Sequence, residues 1–166
     1  MGNDCYYNVI GGCSDNEFET GCNNITIASG HKNTFGIECY NITMDKGSAD
    51  GNRFENFCHD ITFTNYQADT NTFRGHHITI GQCNRNTIYA NKVTLGDTCH
   101  RNTIIGINGY GEDTGEEDTI VFGTDCSHNT INRCTNITFG NFCSENVLNN
   151  ANYIVFGTNA NSVNTT

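Results

Sequence analysis

The amino-acid sequence predicts an all-β fold, a parallel β-solenoid (β-helix) of about 17-residue repeats with two short strands in each. Three observations predict it. An Ile-Thr-apolar motif returns eight times, an Asn-x-apolar motif is interleaved with it nine times, and the ten cysteines fall into two columns once the repeats are aligned. Self-similarity at a short fixed period is the signature of stacked coils, in which no single repeat buries its apolar face alone.

The first motif reads ITI at 25–27, ITM at 42–44, ITF at 61–63, ITI at 78–80, VTL at 93–95, IVF at 120–122, ITF at 137–139 and IVF at 154–156. Successive starts are 17, 19, 17, 15, 27, 17 and 17 residues apart. Alternate residues of a strand share a face, so the apolar pair points inward. Thr26, Thr43, Thr62, Thr79, Thr94 and Thr138 then form an outward column, which suits the β-propensity of Thr. Gly81, Gly96, Gly123, Gly140 and Gly157 follow the strand directly, and the expectation is a sharp corner using the positive φ that Gly tolerates.

The second motif pairs Asn16 with Phe18, Asn33 with Phe35, Asn52 with Phe54, Asn71 with Phe73, and Asn86 with Ile88. It continues with Asn102 and Ile104, Asn129 and Ile131, Asn146 and Leu148, and Asn161 and Val163. Here Asn and its apolar partner point inward, and Thr34, Thr72, Thr87, Thr103 and Thr130 point out. Stacked about 4.8 Å apart, the nine Asn predict a ladder of side-chain amides, each donating to the next turn.

Three closures satisfy this pattern: a flattened two-sheet roll, a three-sided helix of one chain, or three intertwined chains. With two or three inward apolar groups per strand, a lone roll would have a thin core. A homotrimer, intertwined in form, is therefore the expected closure. Residues 1–166 read as one solenoid domain, interrupted by an acidic, Gly-rich insertion at about 105–119, IGINGYGEDTGEEDT. Insertions in solenoids map to surface loops. Asp113, Glu116, Glu117 and Asp118 are its candidates for calcium, which takes hard oxygen ligands. No EF-hand spacing accompanies them, and a solvated acidic loop is the simpler expectation.

Cys13, Cys83, Cys99, Cys126 and Cys143 each lie three residues before a motif Asn. Cys22, Cys39, Cys58 and Cys134 lie three before a motif Ile, and Cys5 fits the same register. With no CxxC, a structural zinc site has little support. Buried free thiols, packing as small hydrophobes, fit such columns. Disulfides Cys5–Cys22, Cys39–Cys58, Cys83–Cys99 and Cys126–Cys143 are the alternative, and would strand Cys13 and Cys134. His31, His59, His76, His77, His100 and His128 fall in turns, where the His76–His77 pair is the one candidate metal contact.

Composition narrows function. The net charge is −10, from 18 acidic and 8 basic residues, which disfavours a phosphate backbone as partner. No apolar run approaches the roughly 20 residues of a membrane span. The start, MGNDCYYNVI, lacks the basic and apolar regions of a signal peptide. No Ser–His–Asp constellation or nucleophile motif stands out, so no catalytic residue, enzyme activity or cofactor is expected.

The strings GNDCYYNVIGG, GQCNRNTI, GDTCHRNTI and GNFCSENVL resemble the NTFGxxC-type repeats of phage tail-fibre and tail-appendage proteins, notably those of gut Bacteroides phages. The resemblance covers nearly the whole chain. It implies an elongated, trimeric parallel β-helix, a structural virion protein built in the host cytoplasm that positions a receptor-binding tip for host attachment. A cell-surface glycan or other receptor is the partner it implies. Two other functions remain open: a single-chain extracellular solenoid that binds glycan or ice, and a carbohydrate-active β-helix. The second needs two carboxyl groups roughly 5–10 Å apart in a groove, whereas the acids here are scattered in turns and the outward strand positions are mostly Thr.

Overall fold

A computed structural model describes residues 6–45, 47–64, 67–106, 119–160 and 163–165 of the chain. Short strands follow one another, with no helix among the described residues. One face stacks nine rungs, from Tyr6–Ile10, Asn23–Ile27, Tyr40–Met44, Cys58–Phe63, Thr72–Ile80, Lys92–Leu95, Thr119–Phe122, Ile137–Phe139 and Ile154–Phe156. All neighbours are parallel and in register, Ile25 on Ile42 on Ile61 on Ile78. The opposite face carries the Asn-x-apolar rungs, from Glu17–Phe18 and Thr34–Phe35 to Asn146–Asn149 and Val163–Thr165. Thr72–Ile80 bends round the corner and serves both faces. A narrow strip pairs Cys13–Ser14 with Gly30–His31, and Ala68–Asp69 with Cys83–Asn84, along one turn.

The solenoid, its roughly 17-residue spacing and its two strands per repeat are as the sequence predicts. Each coil, however, is closed by one chain, because every rung pairs with the same chain's rung one repeat later. The expectation of intertwining counted only strand residues. The turns supply two further inward columns: Cys22, Cys39, Cys58, Ala90 and Cys134 at one, and Ala49, Ala68, Cys83, Cys99, Cys126 and Cys143 at the other, all buried. These fill the ends of the roll, so its interior is complete without strands from other chains.

Between them lie the large side chains. Phe18, Phe35, Phe54 and Phe73 stack with ring centroids 4.6, 4.5 and 5.1 Å apart, the spacing of the rungs themselves. Phe63 meets Phe54 and Phe73 edge-on from the facing sheet, at 6.0 and 5.3 Å. Burying each such ring contributes about 1.5–3 kcal/mol.

The corners are turned differently from expectation. Gly81, Gly96, Gly123, Gly140 and Gly157 are absent from the positive-φ residues, whereas Asn24, Asn41, Asp60, His77 and Asn136, each just before an inward Ile, have φ between 50° and 54°. Asn and Asp reach this left-handed region more readily than other side chains. The glycines are needed for closeness instead: a Cβ on Gly96 would lie 2.5 Å from the Gly81 carbonyl, and one on Gly140 2.5 Å from that of Gly123. Repeat length varies at both corners and not within the rungs. Four residues separate Met44 from inward Ala49, and two separate Ile80 from inward Cys83, so the rungs keep their register.

The insertion is narrower than 105–119, since Ile105 and Thr119 are both strand residues. Residues 107–118, with Asp113, Glu116, Glu117 and Asp118, lie outside the described residues, as do Cys5 and Asn161.

Candidate functional site: the amide ladder and the histidine corner

The predicted ladder forms from Asn16 through Asn146. Each side-chain amide donates to Oδ1 of the Asn one coil on: Asn33 to Asn52 at 3.0 Å, Asn52 to Asn71 at 3.1 Å, and Asn71 to Asn86, Asn86 to Asn102, Asn102 to Asn129 and Asn129 to Asn146 at 3.0 Å. Asn16 opens the series with a 3.3 Å bond to Asn33. The backbone N–H joins in, donating to the same Oδ1 at 2.8 Å for both Asn52 and Asn71. The second amide proton turns back to a carbonyl of the preceding coil, as from Asn71 to Ala49 at 2.7 Å and Asn129 to Cys99 at 2.9 Å. Every donor and the oxygen of an interior Asn are thereby used, which removes the cost of burying them. At the far end the register places Val163 beside Asn146, and Asn161, the ninth predicted member of the ladder, lies outside the described residues.

The cysteines build a second ladder. Nine described cysteines are free thiols. The backbone N–H groups of Cys99 and Cys126 donate to the sulfur one coil on, both at 3.4 Å. The thiols of Cys99, Cys126 and Cys143 donate to the carbonyls of Gly81, Gly96 and Gly123 at 3.3, 3.2 and 3.2 Å. Burial pushes the thiols of Cys13 and Cys143 up. Cys126 is pushed up first by its contact with the Cys99 thiol and then by burial. These are poor nucleophiles, because the thiolate is the reactive form.

Three of the histidines that read as turn residues, His59, His76 and His77, converge at one corner. Tyr40, His59 and His76 stack as a column of rings, 5.0 and 4.9 Å apart. Asp60 sits between two imidazoles, with His59 Nδ1 at 2.8 Å and His77 Nδ1 at 3.0 Å. Partial burial works against its charge, but the bonds from His59 and His77 outweigh it and hold the carboxyl below its ordinary range. Beside them a shallow groove of about 300 Å³ is lined by His77, Thr79, Lys92, Thr94 and Thr119. The insertion rejoins the rod at Thr119, whose rung partner is Lys92. Among the described residues, no three His, Cys, Asp or Glu side chains are placed to hold one metal ion.

One cluster escaped the sequence reading. The Ser127 hydroxyl lies 2.9 Å from His100 Nδ1 and 3.2 Å from His128 Nδ1, and His128 Nε2 lies 2.7 Å from Glu145. Ser127 N–H also donates to His100 Nδ1, so that nitrogen is an acceptor. His100 and Ser127 are 27 residues apart in the chain, across the insertion, which hides their pairing until the coils are stacked. His128 and Glu145 are exposed, and such pairs contribute little to stability.

No protein-family model, curated protein or solved structure matches this chain.

Proposed function

We propose that the chain is a non-enzymatic structural rod, a segment of an elongated fibre of the phage tail-fibre or tail-appendage kind that positions a receptor-binding element for host attachment. The observation that carries this reading is the unbroken amide chain from Asn16 to Asn146 inside a closed coil. Buried, fully satisfied polar networks rigidify a core and specify one register, which is what a shaft requires. The outward strand positions, mostly Thr, suit a solvated wall. The repeat resemblance to tail appendages supports the same role.

Small-angle scattering of the purified chain, with immunoelectron microscopy of phage particles, tests the reading. A rod of constant cross-section and antibody label on tail appendages is expected. A compact scattering profile, or label confined to a secreted fraction, would overturn it. Release of reducing ends from a polysaccharide panel would replace it with the carbohydrate-active reading.

A further inference from the structure

The face built on the Ile-Thr-apolar motif presents two parallel columns to solvent. From rung one to rung nine, the register makes the outer column Val9, Thr26, Thr43, Thr62, Thr79, Thr94, Val121, Thr138 and Val155. Read from either end, it begins Val, Thr and is centred on Thr79. The corner column beside it runs Tyr7, Asn24, Asn41, Asp60, His77, Lys92, Thr119, Asn136 and Tyr153. It too starts alike from both ends, Tyr then Asn, with His77 at the centre and opposite charges, Asp60 and Lys92, one rung to either side. The third rungs from each end differ, Asn41 and Thr43 against Thr119 and Val121. His77, Thr79, Lys92, Thr94 and Thr119 line one common groove, so the two columns share a surface.

The end rungs break the local rules. Tyr7 and Tyr153 occupy the left-handed corner position, with φ of 51° and 54°, where five interior rungs use Asn, Asp or His; Lys92 and Thr119 are not left-handed. They are 82% and 79% exposed, and Val9 and Val155 beside them are 84% and 61% exposed. An apolar pair in a disfavoured backbone conformation, repeated at both ends of one face, is a sign of function rather than folding.

We propose that this face binds a second copy of the chain, in an antiparallel dimer whose two-fold axis lies along the strands and passes through the rung of His77 and Thr79. Such an interface is isologous, so each pairing occurs twice. Rung one meets rung nine, which sets Tyr7 and Val9 against Tyr153 and Val155 of the second copy. Rung four meets rung six, which sets Asp60 against Lys92. Rods paired parallel would not bring those charges together. The opposite face is less complementary: its outward column would set the charged Arg53 against Thr130, and its corner column would set Arg85 against itself. Eight rung steps of about 4.8 Å and a strand width of about 13 Å bury about 1,000 Å² in all, at the low end for specific interfaces. The pair has equivalent ends, so in a fibre it bridges two shafts rather than extending one.

Light scattering over a dilution series gives the mass, and cross-linking gives the orientation. A mass of twice the 18.3 kDa chain is expected, falling to the monomer in Thr79→Arg, whose outward side chain leaves the core untouched. In an equimolar mixture of Val9→Cys and Val155→Cys chains, mild oxidation should join position 9 to position 155. A monomer, a trimer, or a 9-to-9 link would overturn the proposal while leaving the structural role, tested by shape and labelling, intact.

Discussion

A Cβ placed on Gly75 would lie 1.5 Å from the carbonyl oxygen of Cys58. The position belongs to an inward turn column in which Cys22, Cys39, Cys58 and Ala90 all carry side chains. Among the described residues, only here does the strand run unbroken through the corner, from Thr72 to Ile80, pressing the two backbones together. Gly75→Ala should therefore cost about 3 kcal/mol or more, at or beyond the upper end of ordinary overpacking. Urea unfolding measures it, and a loss below about 1 kcal/mol would mean that the corner opens freely.

Asn71→Ala should be far more damaging than Asn16→Ala. In the interior, truncation orphans the Asn52 backbone and side-chain donors and the Ala49 carbonyl. At about 1–3 kcal/mol for each unsatisfied group, the total is about 3 kcal/mol or more. Asn16 is exposed, receives no bond from a preceding Asn among the described residues, and should lose about 1 kcal/mol. Equal losses in thermal or urea melts would contradict the ladder account.

The thiols should resist alkylation while the chain is folded. Iodoacetamide at pH 8 is expected to label all ten cysteines in denaturant but to spare the buried ones in the native state. Cys13, the one described cysteine that is only partly buried, should react first. Rapid native labelling of Cys126 or Cys143 would show that the turn columns open.

The columns of Asn, Cys and Thr were legible because each is set by a two-residue period within a strand and by repetition between strands. The closure was not. Cys22 and Cys39 read as neighbours in a column, yet their inward direction depends on the left-handed residues before them, Gly21 and Glu38, which no periodicity announces. Asn161, which the same Asn-x-apolar spacing nominates, lies outside the described residues. The Asp60 corner needed coil lengths as well as motifs, because His59, Asp60 and His77 meet only when a 17-residue step is counted from Asp60 to His77.

Asp60 should make the rod sensitive to acid. Its folded-state pKa lies below the ordinary Asp value of about 3.9. Its contribution to stability is therefore complete above about pH 4 and is lost as pH falls through the lower folded value. Because the carboxylate is 45% exposed, solvent screening keeps the contribution small. Asp60→Asn should flatten the acid limb of a melting-temperature profile relative to the unaltered chain, and an unchanged limb would assign the effect to other carboxyls.

Each interior Asn of the ladder is satisfied by whichever coil comes next, whatever the step along the chain: 15 residues from Asn71 to Asn86 and 27 from Asn102 to Asn129. Length along the axis is thus uncoupled from length along the chain. Removing residues 33–51 would join Lys32 to Asn52 and shorten the rod by one step of about 4.8 Å, with every amide re-engaged. Removing a single residue within a rung would break the series. The molecule is a ruler graduated in whole coils, and its ancestors could change its reach only by integers.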